Sequence, residues 1–160
     1  MIDTTLFRST MSRFASGVTV VTTRQADGRP CGLTVSSFTS LSLQPPLILV
    51  CVDLRGTTHS ALRDADRFAV NILSETQADV SQRFAMHDVE KFPTGSYRLS
   101  EHGIPLLEGV LAQIECRMYQ QVPGGDHTIF IGEVEHSTLS DGRPLLYYRS
   151  AYHRLPESAS

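Results

Sequence analysis

The pattern of apolar and polar positions is most informative over residues 31 to 54, where a hydroxyl-rich half, a Pro-Pro break and an apolar run follow one another. Side chains alternate along an extended chain, so Leu33, Val35 and Ser37 share one face while Thr34, Ser36 and Phe38 share the other. Pro45 and Pro46 cannot donate to a ladder and are expected to end this first strand. Leu47 to Val52 is then short and uninterrupted, the signature of a strand buried on both sides. An apolar strand beside one that carries hydroxyls makes a wall with a polar margin. Hydroxyls on an exposed strand face also simply meet water, and the pattern alone allows both readings.

Before this pair, Asp3 or Thr4 can cap a short helix in which Phe7, Met11 and Phe14 recur at helical spacing and Ser16-Gly17 supplies the stop. That helix is expected to lie across the sheet. Val18 to Thr23 is a β-branched run, Ala26 to Arg29 a turn, and Pro30 opens the next strand, which reads as a hairpin. After Leu54, Thr57 or Thr58 can cap a second helix, whose free N–H groups would suit a phosphate beside Thr57, Thr58 and Ser60, or merely make a plain cap. Phe68 to Leu73 reads as a strand, and Ser74 to Gln77 fits a capping box for a helix with Val80 and Phe84 inside.

Met86 to Pro105 is long and rich in turn signals, a candidate lid or partner contact. Leu111 to Val122 alternates, with Ala112, Ile114, Cys116 and Met118 inward and Gln113, Glu115, Arg117 and Tyr119 outward. A tight connection at Gly124 to His127 leads into a strand over Thr128 to Glu135, and Asp141 to Pro144 turns into Leu145 to Arg149. The tail over 156–160 is expected to fray. About seven strands joined mostly by hairpins, with short helices between, predict a mainly β fold closed as an antiparallel barrel, since closure removes edges. A chain of 160 residues makes this one domain, 1–160.

Composition narrows the function. A net charge of -3 without blocks of like charge gives nucleic acid or an anionic membrane no electrostatic footprint. No apolar run approaches a membrane span and no basic-then-apolar leader opens the chain, so a cytoplasmic location is expected. Cys31, Cys51 and Cys116 lie far apart and read as small core residues rather than zinc ligands or disulfides. Dinucleotide and triphosphate fingerprints, a nucleophile elbow and metal-spaced histidines are all missing, so no metal is expected. His127 stands out because its Gly-Gly turn lets backbone approach a ligand closely. The residues offer ligand binding rather than side-chain catalysis.

Six segments, taken in order and at their spacing, carry a resemblance: Phe14 to Thr23, Gly32 to Phe38, Pro45 to Cys51, Phe68 to Leu73, Gly125-Asp126-His127 and Pro144 to Tyr148. Together they closely resemble the flavin reductase-like family, the small reductase partners of two-component flavin monooxygenases. The resemblance implies a homodimeric split β-barrel that binds FMN or FAD and reduces it with NADH or NADPH for a partner monooxygenase. Carried over by position, Pro30, Thr34, Ser36 and Ser37 would meet the isoalloxazine edge and ribityl chain. Cys51, Val52, Asp53, Thr57 and Thr58 would line the ring and lead to the phosphate, with Ser60 nearby, and Arg83, Phe84 and Ala85 would close the site. His127 would be the catalytic contact to the nicotinamide, bordered by Tyr148, Arg149 and Tyr152. Many relatives carry Gly where this chain has Ser150, which bears on that border. A flavin carrier or sensor on the same barrel is the alternative; Gly125-Asp126-His127 favours the enzyme, since a carrier needs no second aromatic ligand.

Overall fold

The computed structural model describes residues 1–156. In chain order they form α1 (Thr4–Met11), β1 (Ser16–Gly17), β2 (Thr19–Arg24), β3 (Pro30–Val35), β4 (Phe38–Leu43), β5 (Pro46–Asp53), α2 (Thr57–Asp64), β6 (Arg67–Ile72), α3 (Ala78–Ala85), β7 (Tyr97–Leu99), β8 (Pro105–Leu107), β9 (Ala112–Gly124), β10 (His127–Leu139), β11 (Leu146–Tyr148) and β12 (Ala151–His153). Except for Pro156, the tail expected to fray lies outside the described residues.

Seven strands form one antiparallel sheet in the order β3-β2-β6-β9-β10-β5-β4. Its two ends, β3 and β4, are consecutive in the chain, separated only by Ser36 and Ser37. A flat sheet of seven strands would hold its outer strands about 29 Å apart, whereas the three peptide steps from Val35 to Phe38 reach at most about 11 Å. The sheet must therefore roll until its ends meet, which gives the split β-barrel. The stretch expected to run as one strand up to Pro45 is thus two, broken where the barrel closes.

The inward faces of these strands explain the core. Val21, Val35, Ile48, Val50, Val52, Phe68, Val70, Cys116 and Phe130 fill the barrel, and Leu62 of α2 plugs it from one end. Gly132 is required here: a Cβ would stand 2.6 Å from the Phe68 ring and from Cys116 Cβ. The opposite face of β2 is covered too, where Val18 and Val20 pack with Leu73, Phe84, Leu107, Val110 and Leu145 beneath α3. Asn71 joins the layers, donating to Val20 O and Thr22 Oγ1 and accepting from Leu107 N. β5 follows expectation on one face only. Ile48, Val50 and Val52 are buried, while Leu49, Cys51 and Asp53 are half-buried on the other side.

Several local expectations change. Asp3 does cap α1, accepting from Leu6 N at 3.0 Å, but the helix buries nothing; Leu6, Phe7, Met11 and the following Phe14 are 57%, 51%, 53% and 76% exposed. Neither Thr57 nor Thr58 caps α2: Gly56 holds that place, and no side chain accepts from the first turn. Half of the Ser74 to Gln77 capping box forms, with Ser74 N donating to Gln77 Oε1, while the Ser74 hydroxyl turns to Thr76 and α3 starts one turn later. Met86 to Pro105 is no open loop, since it carries the first strand of the β7–β8 hairpin and buries Ile104. A small second sheet, β1-β11-β12, ends the fold, with the wet-faced β9 largely as expected except that Gln113 is buried and bonded to Leu107 O.

Candidate functional site

The barrel seam is built from Ser37 and Cys51. Ser37 Oγ donates to Cys51 O at 2.9 Å, and Cys51 N is shared between Ser37 Oγ at 3.3 Å and Ser37 O at 3.2 Å. The Ser37 hydroxyl, expected to face a ligand, is thereby committed to the backbone of β5. Ser36 beside it is exposed and is the hydroxyl the seam leaves to solvent. Thr34 is likewise engaged, donating to Ser81 O at 2.6 Å and so tying β3 to α3.

From the seam, the half-buried face of β5 leads through Cys51 to Asp53, which pairs in register with His127 on β10. His127 opens that strand after a two-residue turn whose first central residue, Gly125, has φ 67°, the left-handed value that a type II′ turn requires. The turn is locked to β5 by Leu54 N donating to Asp126 O at 3.0 Å. His127 Nδ1 lies 2.7 Å from Asp126 Oδ1, which fixes the ring and leaves Nε2 without a partner among the described residues. The same contact holds the Asp126 carboxyl below the usual carboxylate range. Hydrogen bonds from the Arg55 side chain and backbone hold Asp53 well below it. Two ionised carboxylates thus flank His127, one beside it and one across the strand pair.

α2 begins four residues beyond Asp53. Its first turn carries Thr57, exposed, and Thr58 and His59, buried, with Ser60 exposed again. His59 Nε2 meets Thr128 Oγ1 at 2.9 Å, which pins the helix start to β10. Val52, expected to line the ring, and Phe84, expected to close the site, are both 1% exposed and belong to the two cores, so they offer a ligand backbone only. Thr58 is 6% exposed and turned toward the Cys31 thiol. Pro30 stands at the far end of β3 from Ser36, a separation of about 20 Å along the strand. Arg83 and Ala85 flank Phe84 on α3.

Tyr148, Arg149 and Tyr152 lie on the small sheet, joined to α3 by Tyr152 OH against Ser81 Oγ at 2.7 Å. Tyr152 is thereby brought to Ser81 and, through the Ser81 carbonyl, to Thr34. Residues that pattern reading missed are the connectors: Ser81, Asp126, Arg55, His59 and Lys91. Lys91 Nζ donates to Gly32 O and Phe84 O, both at 3.2 Å, tying the loop after α3 back to β3. Asp126 was legible within Gly-Asp-His; Ser81 and Lys91 carry no local signal, because their partners are backbone oxygens distant in sequence.

Exposed hydroxyls at Ser36, Thr57 and Ser60, an uncapped helix start and a ring held on a Gly turn suit a flat, polar-edged ligand that bears a phosphate. The Flavin reductase like domain profile matches residues 11–156 of the chain. The chain belongs to the flavin reductase-like family. It is 41% identical over 152 residues to the flavin reductase of Pseudomonas putida, covering 94% of this chain and 89% of that one. With the reductase component of the flavin-dependent trigonelline monooxygenase of Acinetobacter baylyi it shares 44% over 145 residues, covering 91% of this chain and only 47% of that longer protein. Among solved structures it is similar to the NADH:FAD oxidoreductase SgcE6 of Streptomyces globisporus C-1027, in complex with NAD and FAD fragments: TM-score 0.92, 38% identity, 99% of this chain and 96% of the other.

Within this family fold, the Ser150 departure has a physical content. Arg149 and Ser150 form the two-residue β11–β12 turn with φ of 51° and 61°, the left-handed pair of a type I′ turn. Glycine takes that conformation without penalty, whereas serine and arginine hold it at a cost. The backbone course expected from a glycine is therefore kept here by a serine. Burial likewise settles two thiols, pushing Cys31 up to about 11 and Cys116 to about 12, so both are inert core groups.

The seam generates a prediction that separates its two serines. Ser37→Ala should lower stability by about 1 kcal/mol, a fall in Tm of roughly 3 °C, because it strips the clip from Cys51. Ser36→Ala should leave Tm unchanged and raise the flavin Kd by about 2- to 10-fold. Thermal unfolding and flavin fluorescence quenching read the two effects; equal Tm losses in both variants would contradict the assignment.

Proposed function

We propose that the chain is an NAD(P)H:flavin oxidoreductase that supplies reduced FMN or FAD to a separate monooxygenase. The observation that carries this reading is the placement of His127: a ring fixed by Asp126, on a strand paired with the half-buried Cys51–Asp53 segment, beside the seam and its exposed Ser36. Sequence likeness to reductase components of two-component systems supports it. Bound flavin supplies the hydride-accepting chemistry. The work left to this chain is positional. Ser36 and the backbone of Cys51 to Asp53 hold the edge of the ring, and Thr57, Ser60 and the free amides of α2 hold the phosphate. His127 Nε2 meets the carboxamide of the nicotinamide, with Asp126 holding the ring in place.

In this reading no acid or base with a strongly shifted pKa is needed, because alignment at near-attack distance provides most of the acceleration. A tightly held flavin carrier would have no use for a ring fixed by its own carboxylate. A cytoplasmic setting agrees with the free thiols and with the want of any helix long and apolar enough to cross a membrane among the described residues.

A second copy of the chain is part of the proposal. α1 presents Leu6, Phe7 and Met11 to solvent, and Phe14 follows at 76% exposure, an apolar face of the kind that marks a protein–protein contact. Its end is tethered to the β11–β12 turn through Arg149 N donating to Ser12 O at 3.0 Å. A copy docked on α1 would therefore border Tyr148 and Arg149 and cover the open side of the site. Sedimentation at micromolar concentration should give a dimer; a fully active monomer would refute this.

His127→Ala tests the reductase directly. The expected outcome is a flavin Kd within twofold of wild type, a KM for the nicotinamide donor raised several-fold, and flavin reduction slowed by on the order of a hundredfold where the nicotinamide is misplaced. Anaerobic stopped-flow reduction with each flavin and with NADH and NADPH also identifies the preferred pair. An unchanged reduction rate at every donor concentration would remove His127 from the site.

A further inference from the structure

Successive residues of β10 point to opposite faces, so His127 and Ile129 share one side of the strand while Thr128 and Phe130 share the other. Phe130 fills the barrel, so Thr128 points inward and His127 outward, where the proposed function gives it the nicotinamide. Thr128 there meets His59, the third residue of α2, with Nε2 at 2.9 Å from Oγ1. The same imidazole stands edge-on to Phe130, with ring centroids 5.5 Å apart and planes at 64°. At 8% exposure it is a polar ring enclosed at the end of the barrel.

The start of α2 has few other ties. An eight-residue helix is too short to be stable alone, so its packing decides where it begins. No side chain caps it, Ser60 N reaches Gly56 O only at 3.4 Å, and the Thr58 hydroxyl faces the Cys31 thiol, a weak partner. Leu62, fully buried, fixes only the later half of the helix. An apolar ring at position 59 would pack on Phe130 equally well. What the imidazole adds is a directional contact to the strand that carries His127, and a buried polar ring is tolerated only where it is so bonded.

We propose that His59 is a positioning residue for the flavin phosphate: through Thr128 it locks the first turn of α2, with its amides and the hydroxyls of Thr57 and Ser60, at a fixed distance from His127. Resting on the flavin reading above, this makes the His59–Thr128 pair responsible for part of the preference for a phosphorylated flavin over riboflavin, whose ring is held elsewhere, at Ser36 and β5.

Three variants test it without removing a proposed flavin contact. His59→Phe keeps a ring against Phe130 and loses the nitrogen, Thr128→Val loses the hydroxyl from the other side, and Thr128→Ser keeps it. Kd values for FMN and riboflavin are measured by fluorescence quenching, beside the unfolding temperature of each variant. The expected result is an FMN Kd raised about 3- to 10-fold in His59→Phe and in Thr128→Val, with riboflavin within twofold of wild type and both constants restored in Thr128→Ser. Should His59→Phe fail to fold, Thr128→Val carries the test alone. A lower unfolding temperature with an unchanged ratio of FMN to riboflavin affinity would reduce the pair to a support of the fold and overturn the proposal. A wild-type protein that binds riboflavin as tightly as FMN would overturn it too, leaving the reductase reading in place. Failure to bind either flavin would overturn that reading and this one with it.

Discussion

The fold depends on a length constraint at Ser36 and Ser37. The two outer strands of a seven-stranded sheet are neighbours in sequence, and two residues cannot span an open sheet, so the barrel has to close where they lie. Ser37 then takes up both polar groups of Cys51 through its own hydroxyl and carbonyl. Because β5 is fixed there, its far end at Asp53 meets His127, and the chain leaves β5 directly into the start of α2. Seam, the placement of His127 and the helix start are thus successive consequences of one closure.

Burial divides the site into what side chains and what backbone can do. Val52 and Phe84 spend their side chains on the two cores, and Thr34 and Ser37 spend their hydroxyls on Ser81 and Cys51. What remains exposed is sparse: Ser36, Asp53 in part, Thr57, Ser60 and the His127 ring. A site of this kind binds by backbone amides and shape, with few side chains whose loss would be catastrophic. That suits a reaction whose bonds change on the ligands themselves.

Strand pattern, hairpins and barrel were legible in the sequence because period-two alternation and Gly or Pro turns are local signals. Pro45-Pro46, Ala26 to Arg29 and Gly124 to His127 all turn where expected. The break at Ser36-Ser37 was not legible, since residues on either side continue to alternate and only topology demands the change of partner. Resemblance located the candidate site residues, but it could not say which of them were already engaged. Ser37 and Thr34 look like ligand hydroxyls until their backbone partners, 14 and 47 residues away, are seen. The exposed face of α1 was misjudged for a related reason: helical spacing marks an apolar face, not what covers it.

The account places the flavin against the half-buried face of β5, and Cys51 is the reporter for that face. Burial keeps Cys31 and Cys116 protonated, with thiols pushed up to about 11 and about 12, so at pH 8 an aromatic disulfide reagent should titrate one of the three cysteines. The measurement is the rate of that single reaction with and without saturating FMN. Protection of at least tenfold is the predicted result; an unchanged rate with FMN demonstrably bound would place the flavin elsewhere and contradict the account.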